Sequence, residues 1–195
     1  MSHTETDAPD DAAEESAQTD VMIWVDLEMT GLDTRVHTIV EIAVIATDAD
    51  LTPLDAGIDL VIRAEDADLD NIDPFVRTMH KRSGLLKAIE ASEMSLVEAG
   101  GLALDYVKQH VGPGIAPMCG NSIGMDRRFL DAYLPEIDQY LHYRSVDVSS
   151  LKELCRRWKP EAYAKRPSKR GSHRALDDIM ESIAELQYYR TAIFD

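Results

Sequence analysis

Apolar residues recur along this chain in two rhythms. The first is a set of short continuous runs. Met22-Ile23-Trp24-Val25 leads into Asp26-Leu27-Glu28, and Thr38 to Thr47 is almost wholly apolar and β-branched. Such runs predict buried strands. Asp48 to Pro53 supplies turn residues, Gly57 to Arg63 reads as a third strand, and the short connections predict an antiparallel meander. Gly31 permits the turn after the first strand, and Glu65 to Asp73 reads as an acidic loop. The second rhythm is helical. Residues 74–92 read as helix and loop. Ser95-Leu96-Val97-Glu98 fits a capping box, Leu96, Ala99, Ala103 and Val107 recur at helical spacing, and Gly112-Pro113-Gly114 stops the helix. Ile115 to Cys119 predicts a short strand. A helix near Asp126 carries Phe129, Leu130 and Tyr133. Leu151, Leu154, Cys155 and Trp158 form one stripe, and Leu176, Ile179, Ile183 and Leu186 another. Strands followed by alternating helices and strands predict one α/β domain with a mixed sheet.

Composition narrows the classes. A chain of 195 residues with 45% hydrophobic content can bury a full core. No apolar run approaches the roughly 20 residues of a membrane span, and no signal-peptide pattern opens the chain. The expectation is a cytoplasmic protein without membrane contact. Cys119 and Cys155 lack zinc-site spacing and read as reduced residues in or near the core. The net charge is −16. Residues 1–20 hold seven acids and no Lys or Arg, which leaves −9 for residues 21–195. The first segment reads as a disordered acidic tail and the second as the single domain. An acidic body argues against wrapping long nucleic acid, which takes many Lys and Arg contacts to phosphate. Eight of the twenty basic residues nevertheless fall between Arg156 and Arg174.

Four acids carry candidate chemistry. Side chains alternate along a strand, so Asp26 and Glu28 share a face. Asp126 follows the Gly120-Asn121-Ser122-Ile123-Gly124 turn, and Asp178 lies five residues after His173. Taken singly, these are ordinary edge-strand or helix-start acids. Together they supply hard oxygen ligands for two Mg²⁺ or Mn²⁺ ions. Such a pair, roughly 3.5–4 Å apart, stabilises an in-line displacement at phosphorus. His173 has the chemistry to take a proton from the attacking water near neutral pH.

These residues also carry a resemblance. Asp26-x-Glu28, then Asp126, then His173-x4-Asp178 resembles the DEDDh class of 3′–5′ exonucleases. Three strings narrow it to the oligoribonuclease family. They are Trp24-Val25-Asp26-Leu27-Glu28-Met29-Thr30-Gly31-Leu32, Gly120-Asn121-Ser122-Ile123-Gly124-Met125-Asp126-Arg127-Arg128-Phe129, and His173-Arg174-Ala175-Leu176-Asp177-Asp178-Ile179. Leu151-Lys152-Glu153-Leu154 and Arg157-Trp158-Lys159-Pro160-Glu161 are similar to the family's connecting helix. The likeness covers residues 21–194.

The resemblance implies a ribonuclease H-like fold with a mixed five-stranded sheet flanked by helices. It implies removal of 5′-mononucleotides from the 3′ end of short single-stranded RNAs, from about pentanucleotides down to dinucleotides. Asp26, Glu28, Asp126 and Asp178 then correspond to ligands of two divalent cations, and His173 to the general base. Leu32 corresponds to a wedge at the bases, Ser122, Arg144 and Ser149 to groups on the 5′ phosphate, and His80 to a pocket histidine. Tyr143 corresponds to an active-site tyrosine that reaches across a homodimer. Phe75 stands at or beside the place of a base-stacking tryptophan; it reads either as a smaller stacking ring or as core packing. The basic 159–172 loop is slightly longer than usual and reads as a region that attracts substrate. Two other readings stay open at this point. One is an exonuclease of the same class acting on longer 3′ ends, and the other is a non-catalytic RNA-binding module.

Overall fold

The structure is a computed structural model and describes residues 20–168 and 171–194. Nearly all of the acidic tail, together with Lys169 and Arg170 of the basic run, lies outside the described residues. The centre is a five-stranded sheet in the order β3-β2-β1-β4-β5. Strands β1 (Met22–Met29), β2 (Ile39–Thr47) and β3 (Ile58–Val61) form the expected antiparallel meander. Strands β4 (Pro117–Gly120) and β5 (His142–Asp147) continue the sheet in parallel with β1. The sheet is therefore mixed.

Alternation along β1 sorts the two faces. Ile23, Val25 and Leu27 pack with Ala99, Ala103, Val107, Phe129, Leu130 and Ile137. Those partners come from α4 (Leu96–His110), α5 (Gly124–Tyr133) and α6 (Pro135–Tyr140). Trp24 points the other way, among Cys119, Cys155, Ile179, Ile183 and Tyr189. That layer comes from α7 (Val148–Trp158) and α9 (Ala175–Tyr189). Asp26 and Glu28 share the parity of Trp24 and so face the α9 side. Every residue of β2 is buried, including Glu41.

Three expectations change. Glu65 to Asp73 contains a one-turn helix, α1 (Asp66–Asp70), where the Asp68 carboxylate accepts from the Glu65 N–H at 3.3 Å. Acids in a first turn suit the helix dipole, and this compensates for their poor helix propensity. Residues 74–92 form α2 (Pro74–Ser83) and α3 (Leu85–Ala91), broken at Gly84 with φ +81°. Of the α7 stripe only Leu151 and Cys155 pack against the core; Leu154 and Trp158 are exposed, and α8 (Pro160–Ala164) follows. Both cysteines are free and buried, as expected. No helix among the described residues is long and apolar enough to cross a membrane.

Candidate active site

The site forms where β1 ends. Glu28 stands directly opposite Glu41 of β2, and the register shifts at the next residue, leaving Val40 as an extra β2 residue. A bulge of this kind re-aims side chains at a strand end. Two buried carboxylates side by side are costly unless each finds compensation. Glu41 finds it in Arg174, whose Nε–H donates to Oε1 at 2.7 Å, and in the Ala175 N–H, which donates to Oε2 at 3.1 Å. Glu28 instead faces further acids. Burial pushes its pKa up to about 8, with the charges of Asp178, Glu41 and Asp126 adding to the effect.

Asp178 and His173 complete the cluster. Ligand atoms of Glu28, His173 and Asp178 all lie within 4.8 Å of one another. Asp178 sits in the first turn of α9, its N–H donating to the Arg174 carbonyl at 3.0 Å. His173 precedes the helix with φ +51°, after Gly171 at φ +64°. This left-handed turn brings the imidazole to the cluster while leaving it exposed. Asp126 arrives from α5. Strand β4 pairs with β1 only as far as Trp24–Cys119. Beyond that split Asp126 Oδ1 accepts from the Leu27 N–H at 3.1 Å. Burial holds the Asp126 carboxyl up at about 6. Asp26 is half-buried two residues before Glu28 and on its face. Oxygen donors dominate this set, and their mutual repulsion is what a divalent cation relieves, so the residues fit a hard metal ion.

The expected substrate residues divide into groups. Phe75 is 77% exposed, which excludes core packing. It lines a cavity of about 290 Å³ with Thr78, Met79, Arg82 and His173. Leu32 is also exposed. His80 is fully buried; its Nε2 donates to the Met29 carbonyl at 2.9 Å, and its Nδ1 lies 3.8 Å from Glu28 Oε2. Burial lowers its pKa. Ser122, at φ +58°, and Ser149 meet at Asp147. Asp147 Oδ1 accepts from the Ser122 N–H at 2.9 Å, the Ser149 N–H at 2.9 Å and the Ser149 hydroxyl at 2.6 Å.

Tyr143 and Arg144 stand apart from this cluster, on the outer strand β5, with β4 between them and β1. They occupy a bulge, since β4 steps from Pro117 to Met118 while its partner steps from His142 to Ser145. Tyr143 is 75% exposed, with the Arg144 guanidinium 5.3 Å from its ring centre. Arg127 braces the bulge. Its Nη1 and Nη2 donate to the carbonyls of His142, Tyr143 and Arg144 and to Ser145 Oγ, and its Nε to Asp138 at 2.6 Å.

Four supporting residues were not among the sequence candidates: Glu41, Arg174, Asp147 and Arg127. Arg127 and Arg174 stand within the quoted motif strings without a role of their own there, and Glu41 carries a signal as a carboxylate inside an otherwise apolar strand that must find a partner.

Comparison with known proteins follows the same lines. The Exonuclease family of the RNase T type matches residues 23–186. The oligoribonuclease of Streptomyces avermitilis is 53% identical over 176 residues, covering 90% of this chain and 88% of that protein. The human mitochondrial oligoribonuclease is 50% identical over 173 residues, covering 89% of this chain and 73% of that protein. Among solved structures, exonuclease I from Methylocaldum szegediense aligns with a TM-score of 0.65 at 21% identity, over 90% of this chain. This chain spans 41% of that one, and the likeness extends to the fold.

Proposed function

Since the chain belongs to the oligoribonuclease family of exonucleases and is a nuclease, a hydrolytic phosphodiesterase, we propose that its substrates are very short single-stranded RNAs. It removes 5′-mononucleotides from their 3′ ends and acts best on dinucleotides. The observation that carries this reading is the approach of Glu28, His173 and Asp178 ligand atoms to within 4.8 Å.

Asp26, Glu28, Asp126 and Asp178 hold two divalent cations, Mg²⁺ or Mn²⁺, which supply charge stabilisation to the attacking and leaving oxygens at phosphorus. His173 accepts the proton of the attacking water, a role its exposed position beside Glu28 and Asp178 supports. Phe75 and Leu32, exposed apolar side chains, stack on or wedge against the bases. His80 serves as a pocket histidine, buried against Glu28. Ser122, Ser149 and Arg144 take the 5′ phosphate, and Tyr143 reaches across to a second copy in a cytoplasmic homodimer, a role its exposure on the β5 bulge supports. The acidic body supports short substrates, because a dinucleotide needs few phosphate contacts while long RNA is repelled.

The test is a time course on 5′-labelled di- to heptanucleotides and on an RNA of about 20 nucleotides, with Mn²⁺, Mg²⁺ or EDTA. Rapid metal-dependent loss of the dinucleotide is expected. Equal efficiency on the long RNA, or hydrolysis that survives EDTA, refutes the reading.

A further inference from the structure

Glu41 takes no part in the chemistry described so far, yet it is fully buried in the middle of the sheet. A carboxylate there costs several kcal/mol unless it is well paired. Both of its oxygens are used. Arg174 Nε and Nη2 meet Oε1 at 2.7 and 2.6 Å, and the Ala175 N–H meets Oε2 at 3.1 Å. Arg174 opens α9 without a capping side chain of its own. Glu41 therefore caps that helix from across the sheet, satisfying one unpaired N–H and placing negative charge at the positive end of the dipole.

The location of the pair gives it a second consequence. Glu41 faces Glu28 across the antiparallel register. Arg174 follows His173 directly, and its carbonyl accepts from the Asp178 N–H at 3.0 Å. One strut thus runs from the strand pair that carries Glu28 to the segment that carries His173 and Asp178. We infer that Glu41, acting through Arg174, is a positioning residue that holds His173 and Asp178 at ligand distance from Glu28. This inference rests on the metal-dependent reading of that cluster. Metal–oxygen distances tolerate only a few tenths of an ångström, so a loosened strut weakens metal binding while the folded core survives.

Two variants test it. Glu41→Gln preserves volume but replaces one acceptor oxygen with an NH₂ group aimed at donors. Arg174→Lys keeps the charge and loses the forked grip. Mn²⁺ affinity is read by calorimetry, independently of turnover, alongside kcat and KM on a labelled dinucleotide and the melting temperature. Arg174→Lys is expected to fold, to weaken Mn²⁺ binding and kcat about 10-fold or more, and to leave KM within about twofold. The double variant is expected to lose less Mn²⁺ affinity than the product of the two single losses, because both disrupt the Glu41–Arg174 pair, while Arg174→Lys also disturbs the 3.5 Å contact to Asp59. Wild-type Mn²⁺ affinity and kcat in Arg174→Lys overturn the inference. So does a lowered melting temperature with unchanged Mn²⁺ affinity in either variant. If Glu41→Gln fails to fold, Arg174→Lys decides on the same criteria. If the wild type binds Mn²⁺ but cleaves no RNA, the proposed reaction fails, and the calorimetric comparison still decides the strut.

Discussion

Stripping the protein of metal and raising the pH should destabilise it, and Glu28 sets the size of the effect. Its carboxyl is raised from an ordinary value of 4.5 to about 8 by burial and by Asp178, Glu41 and Asp126. In the metal-free fold Glu28 keeps its proton at pH values where the unfolded chain has lost it. The folded state therefore binds more protons between about pH 4.5 and 8, and stability falls as pH rises through that window. Asp126 and Asp59, both held at about 6, act with the same sign over its lower part. At about 1.4 kcal/mol per pKa unit, the Glu28 contribution is a few kcal/mol and at most about 5. For a chain of this size that corresponds to a fall in melting temperature on the order of 10 °C. The assay is thermal unfolding in EDTA from pH 5.5 to 8, repeated with excess Mn²⁺. Melting temperature should fall with pH in EDTA and recover at pH 8 with Mn²⁺, because the cation favours the ionised carboxylates. Glu28→Gln should flatten the EDTA profile, stabilise the metal-free protein at pH 8, and abolish most of the Mn²⁺ response. A melting temperature in EDTA that stays level or rises across this range refutes the reasoning.

Three further outcomes are expected. Replacing His173 by Ala should cost about 10²- to 10⁴-fold in kcat on a dinucleotide while Mn²⁺-dependent stabilisation persists in part, read by single-turnover kinetics beside thermal shift. Phe75→Ala should raise KM for dinucleotides by up to about tenfold with kcat less affected, and Phe75→Trp should lower it, since aromatic stacking is worth roughly 1–3 kcal/mol per base. Arg127→Ala should cost about 1–3 kcal/mol in urea unfolding by stripping donors from the bulge carbonyls, and should weaken self-association in sedimentation runs by loosening the bulge that carries Tyr143.

What was legible in the sequence follows from how each element is buried. Strands β1 and β2 and helices α4 and α9 each put an apolar set against the core, so their periodicity survives in the one-dimensional pattern. Strand β5 carries Tyr143, Arg144 and Ser145 exposed at the sheet edge and shows no apolar alternation in the sequence. Only pairing with β4 makes it a strand. Gly31 shows a subtler difference. It is required less for its turn than for closeness, because a Cβ there would fall 2.4 Å from the His37 ring. The candidate site was legible because carboxylates and an imidazole are side chains suited to hard-metal binding and proton transfer, and their spacing is tied to element ends. Their supports act by distance alone. Arg127, Asp147 and Arg174 are surface-type residues with partners 11 to 133 positions away, at Asp138, Ser122 and Glu41, or along a bulge that no periodicity reveals. Glu41 is the instructive middle case. A charge inside nine consecutive buried residues announces that a cation must come to it, and the structure supplies that cation from the residue next to His173. A buried charge in an apolar strand is thus a legible request for a partner, and here the partner leads to the candidate active site.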